Sequence, residues 1–345
     1  MPLPARAGAF HRPRMLDNLT PFAAEILPLT GPRGQAQSVV VVKATLDFQG
    51  RAVSAERALP VLRAPVFFDD PARLHDLRMD SDVHGHKPLV DVIVNAIAHA
   101  PRGKAVPQFE AGLRVGAQHL ALRVSGARRW QRRWGGAVPA IGAAEPVRQL
   151  PLIYSLAYGG TDPKRPEQFW PANPSGIGFS AGPPVEGLPL PQVEWADDRY
   201  AGKAPPALPG GFGACPIHWM PRRAWLGSYA ADELAAKGLP AALPASADAR
   251  AANSAHPRLQ FGPDQVGPGT AIELHHLSEE GLVRFELPLL TFDITVTTRD
   301  KVYTVQPRFD TLTIEPEHAH LVLTFRHRVD DAAPEDLLGV RVHMH

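Results

Sequence analysis

The chain has 345 residues, 44% of them hydrophobic and 21% charged, with 37 prolines and 29 glycines. About one residue in five is therefore a chain breaker, which excludes a helical bundle or coiled coil, while the apolar content excludes a disordered chain. The 36 Lys and Arg against 35 Asp and Glu leave a formal charge of +1, so no whole-molecule field draws the protein to nucleic acid or anionic lipid. Neither nucleic acid nor membrane is expected as a partner. Cys215 is the single cysteine, residues 1–14 lack the apolar run of a signal peptide, and no stretch reaches the roughly 18 apolar residues of a membrane span. A soluble protein of the reducing cytoplasm is the expectation.

Residues 1–14 show no apolar period and read as a mobile arm, with order beginning near Leu16. Over 38–48 a valine run passes into alternation, with Ala44, Leu46 and Phe48 on one side and Lys43, Thr45 and Asp47 on the other. That pattern predicts a strand whose outer half meets water. Val90, Val92 and Val94 repeat the period against Asp91 and Asn95, and Leu113, Val115, Leu120, Leu122 and Val124 flank Gly116-Ala117 as a hairpin.

From 145 to 268 the alternation nearly vanishes and Pro, Gly, Asn and aromatic residues cluster. Trp170, Phe179, Trp195, Phe212, Trp219, Trp225 and Tyr229 argue against polar disorder there, and one short helix fits 230–237. Alternation returns in Ile272 and Leu274, then Val283, Phe285 and Leu287 beyond a turn at 278–281, which predicts a second hairpin. Phe292, Ile294 and Val296, the segment 302–305, and Leu321, Leu323 and Phe325 add strands that read as a meander, with 331–345 as a tail. The fold class is mainly β: an antiparallel β-sandwich-like body with little helix. One β-rich domain is expected over 15–330, with sheet-forming parts 15–144 and 269–330 around a loop-rich tract at 145–268.

Eight of the 15 histidines fall in close pairs: His84 and His86, His275 and His276, His318 and His320, His343 and His345. On a strand, His-x-His puts both rings on one face about 7 Å apart, a start for zinc that still needs a third protein ligand. Gly85 and Pro88 make the first pair loop-like, adjacent His275 and His276 face opposite ways, and the last pair sits on the tail. No metal or other cofactor is expected. Cys215 and His218 lack the surroundings of a thiol enzyme, so a buried loop cysteine is expected.

Gly176-Ile177-Gly178 and Gly210-Gly211-Phe212-Gly213 match no phosphate-loop fingerprint and read as turns needing positive φ or close packing. Arg128-Arg129-Trp130-Gln131-Arg132-Arg133-Trp134 is the strongest basic patch, and with a balanced chain it reads as a solvated rim or a contact for an acidic partner. Glu145, Asp197, Asp198, Glu315 and Glu317 lie in loops without a distinguishing pattern, so no catalytic residue is assigned. The alternatives are a metal-dependent hydrolase built on the paired histidines and a carbohydrate-binding module whose aromatic loops stack on sugars.

Short segments in a fixed order carry a further signal. They include Asn18-Leu19-Thr20-Pro21-Phe22, Val41-Val42-Lys43-Ala44-Thr45, Lys87-Pro88, Asp91-Val92-Ile93-Val94-Asn95 and Ala98-His99-Ala100-Pro101. After these come Val124-Ser125-Gly126-Ala127-Arg128-Arg129-Trp130, Glu145-Pro146, Ala157-Tyr158-Gly159-Gly160-Thr161-Asp162 and Asn173-Pro174-Ser175-Gly176-Ile177-Gly178-Phe179. Val115-Gly116, Pro151-Leu152, Leu190-Pro191-Gln192-Val193-Glu194, Gly211-Phe212-Gly213, Trp219-Met220-Pro221-Arg222 and Gly227-Ser228-Tyr229 belong to the same series. Together they resemble a bacterial domain-of-unknown-function family found in type VI secretion gene clusters. Ala96 departs from the glycine common there, and the stretch 230–255 is alanine-rich where Trp and Asp are expected.

The resemblance implies a noncatalytic adaptor or chaperone in the cytoplasm, whose protein partners are a secreted effector and a spike-tip component. On that reading the loop-rich tract is the interaction surface. Trp170, Phe179, Trp195, Phe212, Trp219 and Tyr229 are its candidate partner-binding anchors, since large rings bury much area at small rotamer cost. Each can equally serve as a core pin.

Overall fold

In the computed structural model, which describes residues 15–31, 34–69, 76–132, 139–202, 204–227, 247–330 and 332–345, fifteen strands form three main sheets. They are β1 (Leu16–Asn18), β2 (Ala23–Thr30), β3 (Ala36–Asp47), β4 (Val90–Val94), β5 (Gln108–Val115), β6 (Gln118–Ser125), β7 (Val193–Trp195) and β8 (Gln260–Phe261). The series continues with β9 (Ala271–His275), β10 (Leu282–Glu286), β11 (Phe292–Thr297), β12 (Val302–Val305), β13 (Arg308–Glu315), β14 (His320–Val329) and β15 (Gly339–Met344). A six-stranded sheet runs β8-β4-β13-β14-β3-β2, a five-stranded sheet β7-β6-β5-β9-β10, and a four-stranded sheet β1-β15-β11-β12. Helical structure among the described residues is limited to 3-10 turns of three or four residues.

Period-two alternation decides how the sheets meet. Val40, Val42, Ala44 and Leu46 of β3 and Leu321, Leu323 and Phe325 of β14 share one face of the six-stranded sheet. They join one hydrophobic cluster with Leu113, Leu122 and Ile272 of the five-stranded sheet and Phe292, Ile294 and Val342 of the four-stranded sheet. Phe292 sits edge-on to Phe22 at 5.9 Å and to Phe325 at 4.9 Å, tying two sheets through one ring. The β-rich, sandwich-like expectation holds, and so do both hairpins: β5 pairs β6 around Gly116, at φ 55°, and β9 pairs β10.

Four expectations need correction. The C-terminal quarter is not one meander, because β11 and β12 belong to the four-stranded sheet while β13 and β14 belong to the six-stranded one. Residues 332–345 are no tail: Val340 and Val342 of β15 alternate with Arg341 and His343, and the strand is paired on both sides, antiparallel to β11 and parallel to β1. The ladders are not all antiparallel, since β4 and β13 also run parallel. The second face of β3 is not wet either, residues 37–46 being buried throughout. Residues 1–14, read as an arm, and the helix expected at 230–237 lie outside the described residues.

Candidate functional site

The covered second face of the six-stranded sheet is its polar side. Register places Asp91 of β4, Thr311 of β13, Thr324 of β14 and Lys43 of β3 in one row, with Arg326 two residues along β14 from it on the same face. The register shift in β13 between Phe309 and Thr311 leaves Asp310 as the extra residue, and its buried carboxylate pairs with Arg326. Over this face lies the loop around residues 80–88. From it Asp82 pairs with Lys43 and, at 2.7 Å, with Arg326, while Lys87 reaches Asp91 at 2.7 Å.

The loop-rich tract closes the same layer. Arg222 binds Asp80 at 2.7 Å and the carbonyls of Cys215 and Ala251 at 2.6 and 2.8 Å. Asp91 accepts from Asn253 Nδ2 at 2.9 Å and from the Ser254 N–H at 2.8 Å. Burial alone would raise the Asp82 carboxyl, but Lys43 and Arg326 offset it and hold the group below its ordinary value. His84, buried in the same loop, is kept neutral by burial and by the nearby Arg326, Lys87 and Arg222. The space between these groups is about 30 Å³, room for about one water and too little for an organic substrate. Chemically, this layer is an ionic lock between sheet and loops.

Sequence reasoning missed this cluster as a unit. Lys43, Lys87, Asp91 and Arg222 each stand in a segment that carries the family resemblance, but their meeting depends on strands and loops far apart in the chain. The available signal was charge inside valine-rich strands, where an unpaired ion would be untenable.

The six aromatic anchors divide. Trp195 (1% exposed), Phe212 (0%) and Trp219 (1%) are core residues, which corrects their assignment to a contact surface. Trp195 shares the inward parity of Val193 on β7, packs on Phe212 at 5.7 Å and donates its indole N–H to the Pro209 carbonyl at 2.9 Å. Trp219 sits edge-on to Tyr154 at 5.6 Å. Trp170 and Phe179 are half-buried against a separate cluster of Trp130, Tyr158, Leu188, Leu190 and Tyr200 and keep some surface free. Tyr229 lies outside the described residues.

The remaining suspects fall into place by packing. No group of three His, Cys, Asp or Glu suited to a metal occurs among the described residues. His318 and His320 have ring centroids 5.8 Å apart and His343 and His345 4.5 Å apart, while His275 holds Glu273 at 3.1 Å. Cys215 is buried as expected, its thiol pushed up to about 11 by burial. Gly210 and Gly211 serve close packing, since a Cβ would lie 2.7 Å from the Glu194 backbone and 2.5 Å from the Tyr154 ring. The basic patch is broken up: Arg128 pairs with Glu194, Trp130 is buried, and Arg133 and Trp134 lie outside the described residues. Glu315 is held by Arg78 through two bonds of 2.8 Å, beside a pocket of about 160 Å³ that Glu317 also lines.

The architecture defines a mainly β protein whose six-stranded sheet is capped on one face by ion-paired loops, and no helix of the described residues is long and apolar enough to cross a membrane. The chain belongs to the bacterial family described as "Uncharacterized protein conserved in bacteria (DUF2169)", whose family model matches residues 33–326. No curated protein and no solved structure matches the chain.

Proposed function

We propose that the protein is a noncatalytic, cytoplasmic adaptor or chaperone of a type VI secretion system that helps join a secreted effector to the spike tip. The observation that carries this reading is the ordered series of short segments from Asn18 to Tyr229, nearly all inside the span matched by the family model. The charged layer is consistent with it. Its ions pair with one another around a space of about 30 Å³, an arrangement suited to fixing loops in place and not to admitting a substrate.

Co-expression tests the role. The tagged full-length chain, produced with the effector and spike-tip proteins encoded beside its gene, is expected to elute with one of them as a stoichiometric complex on size exclusion. Elution apart from every neighbouring effector and tip protein overturns the proposal. So does turnover of a small molecule by the purified chain.

A further inference from the structure

We propose that a cleft on the outer face of the five-stranded sheet binds a carboxylate-bearing segment of a protein partner. The cleft measures about 530 Å³, and Arg123, Arg128, Ile141, Glu194, Arg199 and Tyr200 line it. Its position follows from strand parity. Leu122, Val124, Val193 and Trp195 point into the core, which leaves Arg123 and Glu194, in register on β6 and β7, on the opposite face.

Charge accounting supplies the ligand class. Glu194 is already engaged through both oxygens: one takes Arg128 and the other accepts the Tyr200 N–H at 2.9 Å. Asp197, also in the cleft, is held through both oxygens by Arg258 at 2.7 and 2.9 Å. Both carboxylates of the cleft are thus neutralised from within the protein. Two cations are not. Arg199 is exposed and makes no ion pair among the described residues, and Arg123 makes a single hydrogen bond, to Gln108 at 3.3 Å.

A carboxylate is the acceptor whose two oxygens match the guanidinium fork of such an arginine. Exposed Ile141 adds apolar contact beside the charge. An acidic residue next to an apolar one is the fitting segment. Nucleic acid fits less well, since following a phosphate backbone takes a run of cations, and here two free arginines share the cleft with Glu194 and Asp197 on a chain of formal charge +1. The site goes beyond the secretion role and does not depend on it.

Fluorescence anisotropy on the full-length chain tests the site with three labelled probes: a peptide of alternating Glu and Leu, its Gln-for-Glu counterpart, and an oligothymidylate. The Glu peptide is expected to bind, to weaken with added salt, and to bind about tenfold more tightly than the Gln peptide. Arg199→Gln is expected to weaken it about threefold or more with an unchanged unfolding midpoint, and Arg123→Gln to weaken it further. Equal affinity for the Glu and Gln peptides, tighter binding of the oligothymidylate, or undiminished binding by Arg199→Gln overturns the proposal. Co-elution with an effector is scored separately, so either result stands without the other.

Discussion

Asp91 and Lys87 face each other at 2.7 Å with both side chains buried, four residues apart on either side of the entry to β4. The same carboxylate accepts from Asn253 and Ser254, so one group fastens the loop-rich tract to the six-stranded sheet. Asp91→Asn leaves the Lys87 ammonium buried without a counter-charge. Such a broken pair costs about 3–5 kcal/mol, to be read from the urea midpoint. Lys87→Met combined with Asp91→Leu removes both ions and recovers part of that loss, though the Ser254 N–H stays unpaired. A midpoint unchanged in Asp91→Asn would show that the lock carries no stability.

Acid is expected to loosen the fold in two stages. Burial, aided by Arg258, pushes the His256 imidazole down to about 3 from 6.5. The unfolded chain therefore binds a proton that the folded chain refuses, so this contribution is complete above about pH 6.5 and declines as pH falls toward 3. Asp82, held below the ordinary carboxyl value despite its burial, contributes fully above about pH 4 and loses that contribution only as pH drops through its lower folded value. His256 Nδ1 accepts the Arg258 N–H at 3.1 Å. Asn retains an acceptor there but does not titrate. Thermal midpoints of His256→Asn measured from pH 7 to 4 are expected to fall less steeply than those of the parent, and identical slopes would reject the assignment.

How much of this was legible follows from what alternation encodes. Period two tells which side chains share a face, and it located the hairpins at Gly116 and at 278–281 correctly. It does not tell what covers that face. Lys43 and Thr45 therefore read as solvent-facing, whereas both are buried, Lys43 paired with Asp82 of one loop and Thr45 accepting the Leu59 N–H of another segment. The strand from Gly339 to Met344 alternates too, but at a chain terminus six residues carry little weight, and its partners lie far away at Leu16 and Phe292. The aromatic residues of the loop tract were visible as a class. Sorting Trp195 from Trp170 required the β7 pairing with β6, which three residues cannot announce.

Cys215 offers a chemical probe of the interior. Its Sγ donates to the Tyr154 hydroxyl at 3.4 Å, Tyr154 donates onward to the Gly213 carbonyl at 3.0 Å, and burial lifts the thiol to about 11. Almost no thiolate exists at neutral pH, and reagents react through the thiolate. Native protein at pH 7.5 is expected to leave Ellman's reagent unreacted for hours, and one equivalent should react in urea. Rapid reaction of the native chain would place Cys215 in an open segment.

Trp195 and Trp170 separate core from surface by mutation. Trp195 is enclosed by Phe212 and by His256 at 4.8 Å, so Trp195→Ala opens a cavity and is expected to cost about 3–5 kcal/mol. Half-buried Trp170 rests edge-on to Tyr158 at 5.0 Å in the smaller cluster, and its loss should cost about 1–2 kcal/mol. Folding then survives, which makes Trp170→Ala usable in the co-elution assay. If the tract grips an effector through its surviving ring surface, that variant captures less effector at a temperature where circular dichroism shows it folded. Undiminished capture would leave Trp170 as a pin of its own lobe and shift the search for contacts to Phe179 and the neighbouring exposed Phe169.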